Sequence, residues 1–354
     1  MTPDDQKSAQ LRHRRIRAGR VATVSTRRSP RTRRGTAARA LVAALAAAAL
    51  AAGCTGPGSG PADDDRGSSS RRPSQQPPPT AADSAPVLAV KLDNARTARP
   101  HTGLEDADVV YVEQVEGGLS RLMAVYATRV PESVGPVRSA RESDLELLRQ
   151  FERPVLAFSG AQSKLMPEIE GAPLTPLTPE TAEGMYVRRT DRAAPHNLYL
   201  RAGRLLPEEP GRDALTTGFR YGPPPRGGEP ERTRTVSYPA ARFTFTWSGA
   251  RDRWLVTMDG TPATTAQGQP IAPATVVVQY VTVRPSDYHD FLGNNTPYTE
   301  TVGSGRATVL RDGRAYDVGW NRPEAEDGTR FTTDDGTPVD FARGQVWVVY
   351  AEAP

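Results

Sequence analysis

The chain has 354 residues, 45 Lys or Arg against 41 Asp or Glu, 33 prolines, 31 glycines and one cysteine. A lone cysteine excludes a disulfide within the chain, and the length allows one large or two ordinary domains beside any targeting segment. The balance of +4 is spread unevenly, and that unevenness decides which partners the charge implies.

The first 53 residues read as an export signal: an arginine-rich start, an apolar run over 40–52, and small residues before Cys54. The run is shorter than the roughly 20 apolar residues that span a bilayer. Leu50-Ala51-Ala52-Gly53-Cys54 resembles the lipobox of bacterial lipoproteins, with Ala51 where a branched residue is commonest. That resemblance implies acylation, of palmitate type, on Cys54 and an extracytoplasmic, lipid-anchored protein. Two or three chains, at about 0.8 kcal/mol per buried methylene, hold a protein on a membrane. The other reading is an ordinary signal peptide that leaves a free exported thiol. Neither Arg27-Arg28 nor Arg33-Arg34 is followed by the residues of a twin-arginine signal, and a start codon assigned too far upstream also accounts for the long basic region.

Removing residues 1–53 takes away 12 basic and two acidic residues and leaves 33 basic against 39 acidic. The remaining chain is acidic, so nucleic acid is not an expected partner. Lys91 and Lys164 are its only lysines, an arginine bias that high genomic GC content explains. Residues 54–85 hold Gly, Pro, Ser, Asp and Arg with almost nothing apolar, and are expected to be a disordered tether.

Val87–Leu92 reads as a buried strand, followed by a polar loop through Asp93, Asn94, Arg99 and His101. Val109–Val112 and Leu122–Tyr126 are strands around a turn at Gly117-Gly118. Ser143–Phe151 has helical spacing with Ser143 as a cap, Val155–Phe158 is a strand, and Ser163–Ile169 and Asn197–Leu206 read as helices. A Pro/Gly break at 220–230 separates this part, residues 86–222, from residues 231–354. There Phe243–Trp247, Arg253–Met258, Thr275–Val283 and Gln345–Tyr350 are strand runs, with Asp312-Gly313 and Asp335-Gly336 as hairpin turns. The expected fold class is α+β, an N-terminal α/β layer domain followed by a mostly antiparallel β domain.

Leu92-Asp93-Asn94, the stretch from Arg99 to Tyr111, Val115–Arg121, Gly135–Arg141 and Pro195–Tyr199 resemble the first half of the YerB-like bacterial lipoproteins. Asn294, Gly303–Ala307, Gly319-Trp320 and Gly344–Trp347 resemble the second. The resemblance covers residues 86–354 and implies a location and an architecture, but no reaction.

The residues themselves propose the site. Arg99, Arg121, Arg138 and Arg141 lie in or beside loops near predicted strand ends, where α/β folds keep ligand groups. A guanidinium grips carboxylate or phosphate through two hydrogen bonds. The amides of the helix after Arg141 are expected to help. Glu116 and Asp144 would hold the arginines; ordinary ion pairing, Arg138 with Glu142 or Arg141 with Asp144, is the competing reading. His101, His196 and Asn197 complete the candidate ligand contacts, with His196 a possible proton carrier. No Gly-x-Ser-x-Gly elbow, His-Glu-x-x-His helix or P-loop occurs, and His13, His101, His196 and His289 have no metal spacing, so no cofactor or metal is implied. Asp334, Asp335 and Asp340 read as turn residues, and Trp247, Trp254, Trp320 and Trp347 as core rather than as sugar-stacking platforms.

Two functions fit. One is a non-catalytic envelope module that binds a cell-wall glycan, an anionic polymer or a partner protein. The other is an enzyme acting on phosphate-linked glycopolymer precursors. The order of Leu92-Asp93-Asn94, Ala107-Asp108 and Pro136–Arg141 is similar to the Asp and Arg motifs of the LytR/CpsA/Psr phosphotransferases, with different spacing.

Overall fold

The structure, a computed structural model, describes residues 85–353 apart from 207 and 291. Cys54, the export signal and the tether lie outside the described residues.

Three apolar runs form the first strands: β1 (Leu88–Asp93), β2 (Val109–Gln114) and β3 (Ser120–Tyr126). After them come α1 (Glu142–Leu148), β4 (Val155–Ala157), α2 (Met166–Gly171), β5 (Thr175–Leu177), and a small hairpin of β6 (Tyr186–Arg188) and β7 (Leu198–Leu200). The two-residue strands β8 (Arg220–Tyr221) and β9 (Glu229–Pro230) lead into a meander of β10 (Thr233–Ser237), β11 (Arg242–Ser248), β12 (Arg253–Met258) and β13 (Thr261–Pro262). The chain continues through β14 (Thr275–Val281), the hairpin of β15 (Val283–His289) and β16 (Asn295–Thr299), then β17 (Gly303–Arg311), β18 (Arg314–Arg322), β19 (Arg330–Thr332), β20 (Asp340–Phe341) and β21 (Val346–Glu352).

One mixed sheet organises these elements, in the order β19-β18-β17-β14-β21-β2-β3-β1-β4-β5, with β9 on β18 as its eleventh strand. Strands from both halves of the sequence therefore share a single sheet. The join is parallel pairing of the last strand with the second, from Val109 opposite Val346 to Val112 opposite Val349. This overturns the expected α+β class, because no separate α/β layer domain precedes a β domain. The described residues carry only two α-helices, of seven and six residues. The reason is physical: Val109–Val112 and Val346–Tyr350 are apolar on both faces, which suits central parallel strands, and such runs do not announce which strand they pair with.

Strand alternation divides the core in two. Leu88, Val90 and Leu92 face the meander, where Phe243, Phe245, Trp254 and Met258 pack against Trp347 and Val276. Ala89, Val109, Met123 and Val125 face the opposite way, onto Leu147, Leu148 and Phe151 of α1 and its following turn, and Ile169 of α2.

Local expectations fared unevenly. Asn197–Leu206 is not a helix: Leu198, Tyr199 and Leu200 are all buried in β7, which pairs with β6. The long run 275–283 breaks into two strands at Thr282. Asp312-Gly313 makes the tight turn between β17 and β18, both residues at positive φ. Asp335-Gly336 turns the chain but leaves only the isolated bridge of Thr332 to Pro338. Trp254, Trp320 and Trp347 are buried, and Trp247 packs on Trp254.

Candidate functional site

Strands β1, β2, β21 and β14 run in the same direction, and their C-terminal ends mark one edge of the sheet. Asp93 closes β1, and Glu113 lies next to the end of β2. Arg121, at the start of antiparallel β3, is in register with both. Alternation puts these three side chains on the face that carries α1. Two turns of chain, at Glu116–Gly118 and Gly135–Arg141, wrap this edge and bring further charges to it.

The result is a cleft of about 840 Å³ bordered by Glu116, Arg121, Arg138 and Arg141. Its far wall comes from the other half of the sequence, the β15–β16 hairpin, which contributes His289, Asp290 and Thr296. Thr296 Oγ1 donates to Glu116 at 2.5 Å, and Tyr298 Oη donates to Glu146 of α1 at 2.8 Å, so the hairpin is fixed over the cleft at two points.

The three arginines differ. Arg141 forms a bidentate pair with Glu116, 2.6 and 2.7 Å, and is neutralised there. Burial raises the Glu116 carboxyl, but the hydrogen bond and charge of Arg141 outweigh it and hold the group below the usual carboxylate range. Arg138 Nε approaches Asp93 Oδ2 at 3.5 Å. Arg121 donates only to the Ser139 carbonyl, at 2.9 Å, and has no carboxylate partner among the described residues. Burial and then the neighbouring Arg141 charge, partly offset by Glu116, push it down to about 9, so it is still a cation at neutral pH. Arg138 and Arg141 each lie against a carboxylate, and Glu142 and Asp290 also border the cleft, so Arg121 is the guanidinium of the three left without a carboxylate partner among the described residues.

His196 joins this edge through Asp93: its Nδ1 lies 2.7 Å from Oδ2, the same oxygen that Arg138 approaches. Asp93 is buried and also accepts the Ala95 amide at 3.0 Å. Burial raises its carboxyl, but that hydrogen bond, His196 and Arg138 together bring it below its ordinary value.

The remaining candidates sit elsewhere. Arg99 is tied to Asn94, to the Met258 carbonyl at 3.2 Å and to Asp259 at 2.9 Å, and with His101 it borders a separate cavity of about 190 Å³. His101 is buried and donates to the Asp93 carbonyl at 2.8 Å; burial pushes it down to about 4, so it is a neutral structural group. Asn197 bonds Arg188 and the Arg189 carbonyl and braces the β6–β7 hairpin.

The start of α1 is held by Asp144, which accepts the Arg141 amide at 2.7 Å. Ser143 is not the cap; its hydroxyl accepts the Thr299 amide at 3.0 Å. Neither expected local ion pair forms, since Arg138 turns to Asp93 and Arg141 to Glu116.

Residues 74–214 match the family described as protein of unknown function (DUF3048) N-terminal domain, and residues 234–348 match its C-terminal domain. The chain belongs to this YerB-like family. A relative from Bacillus subtilis (strain 168), YerB, named as a lipoprotein, is 23% identical over 278 residues, which cover 74% of this chain and 80% of that protein. The crystal structure of the YerB protein from Bacillus subtilis superposes with a TM-score of 0.63 at 20% identity, over 76% of this chain and 92% of that one. It shares the fold of this YerB-like chain.

Sequence reasoning missed the support beneath the cleft. Lys91, fully buried, donates to Asp144 at 2.5 Å and to Glu113 at 3.2 Å. The signal was present: in a chain with almost no lysine, one stands inside the apolar run Val87–Leu92. A charge in such a run must be paired when the strand is buried.

Proposed function

We propose that this protein is a lipoprotein anchored through Cys54 to the outer face of the cytoplasmic membrane, and that its arginine cleft binds an anionic, phosphate- or carboxylate-bearing ligand of the cell envelope. The lipobox-like residues and the naming of the Bacillus subtilis relative as a lipoprotein support the anchor. The observation that carries the binding reading is Arg121, a cation without a carboxylate partner among the described residues, on the wall of a cleft of about 840 Å³ beside Arg138.

The position of the cleft suits a ligand beyond the lipid surface. The chain enters β1 at Leu88, and the cleft borders the other end of that strand, beyond Asp93. Six residues at about 3.3 Å each separate the two.

The test is co-sedimentation of the detergent-solubilised full chain with purified cell wall that retains its phosphate-bearing polymers. Arg121→Met and Arg138→Ala should each reduce the bound fraction at least tenfold. Equal sedimentation of wild type and both variants would remove the cleft from the binding surface.

A further inference from the structure

An Asp–His pair lies beside the cleft, next to its lining residues Arg138 and Pro195. Asp93 is held at three atoms: its amide donates to the Pro136 carbonyl at 2.9 Å, its carbonyl accepts from His101 at 2.8 Å, and Oδ1 accepts from the Ala95 amide at 3.0 Å. Its other oxygen, Oδ2, faces His196 Nδ1 at 2.7 Å. The backbone of His196 is fixed as well, its amide donating to the Ala193 carbonyl at 3.1 Å. A buried, immobilised carboxylate on Nδ1 sets the tautomer of an imidazole and leaves Nε2 as the atom that can accept a proton. His196 is 23% exposed, and the preceding Pro195 borders the cleft.

Resting on the anion-binding reading, we infer that the Asp93–His196 pair beside the cleft completes a phosphodiester hydrolase site, with His196 the general base and Arg121 and Arg138 holding the phosphate. Asp93 is a positioning residue. A water oxygen attacks phosphorus while His196 Nε2 takes its proton. The bond from phosphorus to the ester oxygen breaks, and that oxygen leaves with the bonding electron pair. His289, which borders the cavity from the opposing hairpin, donates a proton to the departing oxygen. The products are an alcohol and a phosphate monoester, and solvent returns the two imidazoles to their starting states. Charge spread over the non-bridging oxygens in the transition state is matched by the two guanidinium groups.

The probe is bis(4-nitrophenyl) phosphate, hydrolysed by the full-length protein in detergent with a chelator present. Thermal-shift titration with inorganic phosphate, against sodium chloride of equal ionic strength, is run in parallel. His196→Gln is expected to lower kcat about 100-fold, the usual contribution of a positioned base, while phosphate still raises Tm. His196→Gly is expected to regain turnover with added imidazole, which a purely structural histidine would not do. Asp93→Asn should lower kcat with little change in KM, and Arg121→Met should raise KM. Wild-type turnover no faster than that of His196→Gln, with the phosphate shift intact, overturns the hydrolase inference and leaves binding standing. Absence of both turnover and the phosphate shift overturns the binding reading with it.

Discussion

Lys91 and Asp144 meet at 2.5 Å in a region that water does not reach, both side chains at 0% exposure. Glu113 completes a triad of one cation and two carboxylates on β1, β2 and α1. Asp144 also accepts the Arg141 amide, so the buried lysine fixes the helix start that positions Arg141 in the cleft. Removing the cation would strand two carboxylates in the core, and breaking a buried pair from one side costs about 3–5 kcal/mol. Lys91→Met should therefore lower the unfolding free energy, from urea titration, by that amount. A loss below about 1 kcal/mol, the range of surface pairs, would show that the carboxylates are not confined as described.

The same triad gives stability a pH dependence. Burial, opposed by Lys91 and reinforced by the Asp144 charge, pushes the Glu113 carboxyl up to about 7 from 4.5. A carboxyl raised on folding is protonated in the folded state where the unfolded chain has released its proton. Its contribution is therefore complete below pH 4.5 and is lost as pH rises toward about 7. Glu113→Gln should remove this decline, so the gap between variant and wild type narrows or reverses from pH 5 to pH 8. A constant gap in urea titrations across that range would place the proton elsewhere.

Much of this was legible in the sequence, and the remainder was not for a definable reason. The strands β1, β2 and β3 stand out by composition, and the arginines of the Gly135–Arg141 loop by their setting between proline and helix. Partners far apart in sequence carry no local signal. Thr296 reaches Glu116 across 180 positions, and Tyr298 reaches Glu146 across 152. Arg322, buried, donates to the carbonyl of Glu146 at 2.9 Å and to Thr301 at 2.8 Å, and so anchors α1 from the other half of the chain. The cleft's separation from Arg99 follows from the same cause, since that arginine is claimed by Asp259 on the turn after β12.

His101 titrates in the opposite sense to Glu113. Burial outweighs its bond to the Asp93 carbonyl and pushes it down to about 4 from 6.5. An imidazole lowered on folding resists the proton that the unfolded chain accepts, so its contribution is present above pH 6.5 and is lost as pH falls toward about 4. His101→Gln should flatten the acid limb of the stability profile, measured by thermal unfolding from pH 7 to pH 4. An unchanged acid limb would assign that loss of stability to the carboxylates instead.

The turn at Gly117-Gly118 offers an internally controlled test of how the cleft wall is joined to the meander. Both glycines have positive φ, 68° and 69°, which costs a side chain about 1 kcal/mol or more. They differ in surroundings. A Cβ on Gly117 would meet nothing within 4 Å, whereas one on Gly118 would lie 2.5 Å from Pro239 Cβ and 3.1 Å from the Ala240 amide. That amide donates to the Gly118 carbonyl at 2.9 Å, so backbone on both sides is fixed and the overlap cannot be relieved by rotating a side chain. Gly117→Ala should cost about 1 kcal/mol from conformation alone. Gly118→Ala should cost about 2–4 kcal/mol, the extra coming from overpacking. Equal losses of stability in the two variants, by urea unfolding, would mean that the turn does not press on the β10–β11 connection.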